Sequence, residues 1–277
     1  MVVDKAVAFG FISQNNKSEN RLKSVFEKLS TGKKINRASD DAAMLSIARE
    51  LEKQVRGFRA AENNIGDALS AIRISDGAAS SINDMVQRQR ELAIQANNGI
   101  LNQSQRDALN SEFQQLSQEI DRTAQSANFN GQNVLDGSSP LSDGSGNIQV
   151  DPNASSQNQI NMPAADLRAA SLSIDSLDIS NPANISNAIS ALDSAIKQVN
   201  TVRTGQGATY NRLESSLQNA EVNRINTTAS LSLAEDMDFA QGVTDRARES
   251  ILSQSNLAAL NNFQSISRNN MMALLNS

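Results

Sequence analysis

The chain has 277 residues, a formal net charge of −5, and no cysteine, histidine or tryptophan. Without imidazoles and thiols it lacks the usual zinc ligands, the cysteine nucleophile, the commonest general base and any disulfide. Enzyme readings are left with carboxylate, lysine or serine chemistry, no catalytic constellation or cofactor site can be assembled, and the acidic balance argues against a nucleic-acid partner.

At roughly 150 residues per domain, the length allows one or two domains. Near the N-terminus the longest run of apolar residues and glycine is 6–12. That is too short to span a bilayer, and it lacks the basic start and small-residue cleavage site of a secretory leader. The expectation is a soluble protein that does not insert into membranes.

All four prolines, at 140, 152, 163 and 182, fall in one window. Because proline breaks helix interiors, this predicts long helices on both sides of an irregular centre. The apolar spacing agrees: Leu22, Val25, Phe26 and Leu29 recur at steps of three and four, ending at Gly32. Ser39, followed by Asp40 and Asp41, is a predicted N-cap. From there Leu45, Ala48, Leu51, Val55, Phe58, Ile65, Ala68, Leu69, Ile72, Ile82, Val86, Leu92 and Ala93 carry the stripe on. A helix from about 42 to 97 would be roughly 80 Å long. Asn97, Asn98 and Gly99 stop it, and Ser104 with Asp107 predicts a restart of capping-box type. Leu109, Phe113, Leu116 and Ile120 form the next stripe.

Between 129 and 180 the turn dipeptides Asn130-Gly131, Asp136-Gly137 and Asp143-Gly144 take over. Ile148-Gln149-Val150 and Leu172-Ser173-Ile174 alternate as hairpin strands do. Helical spacing returns with Ile185, Ile189, Leu192, Ile196, Val199, Val202, Tyr210, Leu213 and Leu217. The fold class is therefore mainly α: a long antiparallel helical rod or coiled-coil bundle with a small β-hairpin region.

The ends differ from the rest. From 250 to 277 the only charge is Arg268, while Ile251, Leu252, Leu257, Leu260, Phe263, Ile266, Met271, Met272, Leu274 and Leu275 are apolar. The first sixteen residues carry charge only at Asp4 and Lys5. Segments this apolar need partners, most simply each other and their copies in neighbouring subunits. The bland alternative is a terminal helix docked on its own domain. Ile251, Leu252, Leu260, Phe263, Ile266, Leu274 and Leu275 are the candidate assembly residues.

The run from Leu29 to Ala43, with Ser30-Thr31-Gly32-Lys33, Ile35-Asn36 and Asp40-Asp41-Ala42-Ala43, resembles the signature of bacterial flagellins. A phosphate loop is rejected because the second glycine is missing. Gln87-Arg88-Gln89-Arg90-Glu91-Leu92-Ala93, Glu119-Ile120-Asp121-Arg122, Phe129-Asn130-Gly131, Asn211-Arg212-Leu213-Glu214, residues 235–240 and Ile251-Leu252-Ser253-Gln254 are similar to further segments of that family. The likeness covers about 1–137 and 184–277, so the chain resembles a short flagellin without large outer domains. Met44 departs from the usual glycine after the Asp-Asp-Ala-Ala run, and the opening from Val2 to Phe11 departs from the usual Ile-Asn start.

The resemblance implies a self-assembling, extracellular structural subunit of the flagellar filament, exported unfolded by the flagellar type III apparatus. It implies an inner terminal coiled coil at 1–40 and 236–277, pairing into a filament core, and a rod at 41–235 that includes the turn-rich region 129–182. Implied partners are copies of itself and other flagellins, the flagellar cap and hook-junction proteins, and an export chaperone. By the same resemblance, Arg88, Arg90 and Leu92, with Glu112 on the following helix, match a segment that binds the animal flagellin-sensing Toll-like receptor. Packing of Leu92 in the core, with the arginines bridging protofilaments, is the competing reading. The rival families are the hook–filament junction protein and a membrane-active type III translocator. The first usually has a proline-flanked Ser-Asp-Asp motif where this chain has Ala38 and Ala42, and the second favours a basic polar face.

Overall fold

The computed structural model describes the backbone of residues 2–275 and the side chains of 9–269 and Met272. Its helices are α1 (Val2–Thr31), α2 (Ala42–Ala96), α3 (Gln103–Ser126), α4 (Pro182–Glu235) and α5 (Phe239–Leu275). Between α3 and α4 lie β1 (Asn128–Phe129), β2 (Gln132–Asn133), β3 (Asn147–Gln149) and β4 (Gln159–Asn161). Two compact units emerge, one of Gln54–Ile225 and one joining the chain up to Lys53 with the chain from Asn226 onward.

The unit Gln54–Ile225 is built on α2. Buried Ile65, Ala68, Leu69, Ile72, Ile82, Val86, Leu92 and Ala93 confirm the predicted stripe. Phe113 and Ile120 of α3, and Ile185, Leu192 and Val199 of α4, close over the 82–96 part of it. Burial of each such side chain contributes roughly 1.5–3 kcal/mol. A second cluster joins Ile65, Leu69 and Ile72 to Leu213, Ile160 and Met162. The contacts Arg90–Asp193, Arg203–Asp76, Gln206–Ser75 and Arg224–Glu62 fix α2 and α4 as antiparallel. Two polar layers interrupt the apolar seam. Gln206 donates to Ser75 Oγ at 2.6 Å, and Gln89 donates to Ser117 Oγ at 2.7 Å and the Phe113 carbonyl at 3.1 Å, all between buried residues. Buried polar partners of this kind favour one register over others.

The irregular centre packs on the same core. β1 and β2 form a hairpin whose two-residue turn, Asn130-Gly131, has φ of 51° and 77°, the pattern of a type I′ turn. β3 pairs antiparallel with β4, Ile148 opposite Ile160. Pro152 lies so close to Gly57 that a Cβ on Gly57 would stand 2.5 Å from its Cβ. Asp136 accepts from the Ser138 amide at 3.0 Å, the Ser138 hydroxyl at 2.7 Å and Asn133 Nδ2. Burial raises its pKa, but these bonds and Arg168 outweigh that and hold the carboxyl below its ordinary value.

Three local expectations are corrected. Leu172, Ser173 and Ile174 form a turn instead of a strand: Ser173 has φ 57°, and Ile174 donates to the Ala169 carbonyl at 2.9 Å. Both flanking side chains are buried, so the alternation came from a tight turn with two inward residues. The cap of α3 is Asn102, whose side chain accepts from the Gln105 amide while Gln105 reaches back to the Asn102 amide. Asp107 instead accepts from the Gln103 side chain. The cap of α2 is Asp41, which accepts from the Met44 amide at 2.9 Å. Asp40 serves the preceding loop, accepting from the Asn36 and Arg37 amides at 3.0 Å each, which chiefly lower its pKa.

In the other unit α1 and α5 run antiparallel: Phe11 meets Phe263, Ser253 donates to Asn15, Arg21 faces Glu249, and Arg246 lies 4.9 Å over the Phe26 ring. Gly242 is buried where a Cβ would stand 2.1 Å from Met237 Cε and 2.8 Å from Leu29 Cδ2. The helix breaks at 32–41 and 236–238 are stitched side by side. Lys34 donates its amide to the Glu235 carbonyl at 2.8 Å, and Met237 donates to the Gly32 carbonyl at 2.9 Å. Lys33 Nζ donates to the nearly buried Glu235 carboxylate at 2.6 Å.

Candidate assembly and contact surfaces

Two helices can cover only one stripe of each other, so a pair that is apolar on several faces leaves the rest outside. Among the described residues of α1 and α5, only Ser18 and Gly242 are buried. Ile251 is 66% exposed, Ile266 58%, and Phe9 69%. Leu252 and Leu257 are exposed as well. Leu260 and Phe263 are half-buried, Phe263 with its ring 6.1 Å from that of Phe11. Leu274 and Leu275 lie outside the residues whose side chains are described. Exposed large apolar side chains grouped in this way, in a stretch from 250 on whose only charge is Arg268, are a candidate association surface.

The second candidate lies on α2 and α3. Arg88 is a fork between two carboxylates, with Nη2 at 2.9 Å from Glu112 Oε1 and Nη1 at 3.1 Å from Glu91 Oε2. The hydrogen bond to Glu112 is the main cause of its raised pKa. Arg90 donates to Asp193 Oδ1 of α4 at 2.6 Å. All of these ion-pair partners are partly solvated, where such pairs stabilise by about 0–1 kcal/mol. Leu92 does not share their surface: it is fully buried in the core of the unit. Of the two readings of this leucine, packing in the core is the one its burial matches. Four residues place Arg88 and Leu92 on neighbouring turns, but the three-four stripe that Leu92 continues points inward.

Sequence reasoning did not find Glu91 and Asp193 as partners, nor the exposed apolar residues at the end of α2 and just beyond it, Ile94 at 49% and Ile100 at 87%. Glu91 was readable as an i+3 neighbour of Arg88. Asp193 was not, because its pairing needs the antiparallel register of α2 and α4.

The family model described as the bacterial flagellin N-terminal helical region matches residues 5–140, and that of the bacterial flagellin C-terminal helical region matches 189–275. A flagellin of Halalkalibacterium halodurans is 35% identical over 241 residues, covering 87% of each chain. The flagellar filament 30.7 kDa core protein of Treponema maltophilum is 35% identical over 243 residues, covering 84% of this chain and 85% of its own. A solved structure of a putative flagellar hook-associated protein from Vibrio parahaemolyticus aligns with a TM-score of 0.57, covering 71% of this chain and 99% of its own. At 13% identity that likeness concerns the fold alone.

Proposed function

This chain belongs to the bacterial flagellin family and is a structural subunit that polymerises into the extracellular flagellar filament, and we propose that the exposed apolar faces of α1 and α5 are what join one copy to the next. The observation that carries this reading is the exposure of Ile251, Ile266 and Phe9 on helices that already pair with each other. A helix pair that remains apolar outside after pairing has further copies as its natural cover. The inner domain is residues 1–40 and 236–277, and the rod is 41–235 with the hairpin region at 129–182. The paired helix breaks at 32–41 and 236–238 support that division, since both passages leave helical structure side by side there, whereas the compact unit of the terminal helices extends further, to Lys53 and from Asn226.

The full chain carrying Ile251→Ser and Ile266→Ser tests this reading. Each isoleucine contributes roughly 1.5–3 kcal/mol when covered, so the double change is expected to raise the critical concentration for polymerisation by about a hundredfold or more. Sedimentation of filaments across a concentration series reads it. Unchanged polymerisation would place the contacts elsewhere.

Family membership also supports export in unfolded form by the flagellar type III apparatus with a chaperone, and addition next to cap and hook-junction proteins. Recognition by the animal flagellin-sensing receptor would run through Arg88 and Glu112, which pair with each other, and Arg90, which turns toward Asp193 of α4, all of them solvated. Arg88→Ala is expected to weaken activation of receptor-bearing reporter cells by monomer while helicity stays constant. Equal activation by both proteins would remove Arg88 from the contact.

A further inference from the structure

The sequence contains two Asn–Gly dipeptides, Asn98-Gly99 and Asn130-Gly131. Asn–Gly is the pair in which a backbone nitrogen most readily attacks the preceding side-chain amide, because no Cβ shields that nitrogen. The two occur in opposite settings. Asn130 and Gly131 both sit at positive φ, and their turn is clamped by the β1–β2 pair and by the bond from Val134 N to Ala127 O at 3.0 Å. Val134 and Ala127 are themselves buried, so the strands that carry the exposed tip at Asn130 and Gly131 are anchored in the core and hold the turn in its positive-φ geometry.

Asn98-Gly99 lies at the corner between α2 and α3, and neither residue is at positive φ. Residues 97–100 are exposed, Ile100 at 87%, so no packing holds the tip. The corner is a single turn, closed by the Leu101 amide donating to the Asn98 carbonyl at 3.2 Å. Within it the Ile100 amide donates to Asn98 Oδ1 at 3.3 Å. That bond orients the side-chain amide along the following backbone and draws electron density from Cγ, the atom under attack.

We propose that Asn98 is a site of spontaneous, non-enzymatic deamidation, through which this corner is converted to aspartate and isoaspartate. The Gly99 nitrogen gives up its proton to solvent base and bonds to Asn98 Cγ. The Cγ–Nδ2 bond breaks, ammonia leaves and a succinimide closes. Water then adds to either ring carbonyl. Opening at Cγ yields aspartate, and opening at the main-chain carbonyl yields isoaspartate, with the chain routed through the former side chain. Water is the only co-reactant, and nothing is oxidised or reduced. Each event adds one negative charge just beyond the C-terminal end of α2, where the helix dipole disfavours it. The isoaspartyl form also inserts an extra carbon into the backbone ahead of Ile100 and the Asn102–Gln105 capping box.

The structure also supplies a control. Gly99 has ordinary backbone geometry and open space where a Cβ would stand, whereas Gly131 sits at φ 77°. Gly99→Ala is thus compatible with the fold and shields the attacking nitrogen. The full chain, as monomer and as filament, is held in mildly alkaline heavy-oxygen water at body temperature, digested and mapped by mass spectrometry. Label enters the Asn98 peptide ahead of the Asn130 peptide, part of it as isoaspartate, and is lost from the Asn98 peptide in Gly99→Ala. Asn98→Gln, whose ring would be six-membered, removes it too and serves if Gly99→Ala misfolds by circular dichroism. Conversion at Asn130 as fast as at Asn98, an unlabelled Asn98 peptide, or undiminished label in Gly99→Ala would overturn the proposal.

Discussion

Deleting residues 250–277 is expected to abolish polymerisation and to leave the unit Gln54–Ile225 helical. The deletion removes Ile251, Leu252, Leu257, Leu260, Phe263 and Ile266 together, all on α5 and all exposed or half-buried in the single chain. At roughly 1.5–3 kcal/mol for each side chain covered, the lost contacts match or exceed the approximately 8 kcal/mol of a micromolar association. The core of the remaining unit draws on none of them, since its buried residues run from Ala71 to Val199 in one cluster and Ile65 to Leu213 in the other. Circular dichroism should therefore keep the helical signal of α2, α3 and most of α4, while sedimentation finds no polymer. Filaments of ordinary length from the truncated chain would refute the role given to α5.

Leu92→Ala is expected to destabilise the same unit by about 2–5 kcal/mol, the cost of opening a cavity in a packed core. Total stability of a domain is only around 5–15 kcal/mol, so the midpoint of chemical denaturation moves well to lower denaturant. Arg88→Ala, four residues earlier, is worth about 0–1 kcal/mol because its ion pairs are solvated. The contrast separates two roles that proximity in sequence had merged. If Leu92→Ala unfolds at the wild-type midpoint and alters only receptor activation, the leucine is a surface contact after all.

The helices were legible because apolar steps of three and four persist over dozens of residues, and no proline interrupts them outside 140–182. Gly32 as a stop was legible for the same local reason: it takes φ 71° and donates to Lys28 O. Caps were less so, because several residues at each start could accept the orphan amides. Asp41 won over Ser39 once Asp40 was occupied by the loop, and Asn102 won because Gln105 could answer it. The centre was legible as turns but not as pairings: Leu172 and Ile174 alternate like a strand although Ser173 reverses the chain. Of the candidate surfaces, the apolar excess on α5 could be read directly. Which carboxylate meets Arg90 or Lys33 could not, because Asp193 and Glu235 lie 103 and 202 residues away and depend on tertiary register.

The stitched breaks have a mechanical consequence. Residues 32–34 and 235–237 run antiparallel, joined by backbone bonds at both ends of the bridge and by the Lys33–Glu235 ion pair between them. A pull on α5 alone is passed across to α1 through bonds that are loaded in shear, so they resist together instead of peeling one by one. Neither terminal helix can slip lengthwise past the other without breaking the whole set. In a filament built of such subunits, that ties the two terminal helices of each copy into one mechanical element.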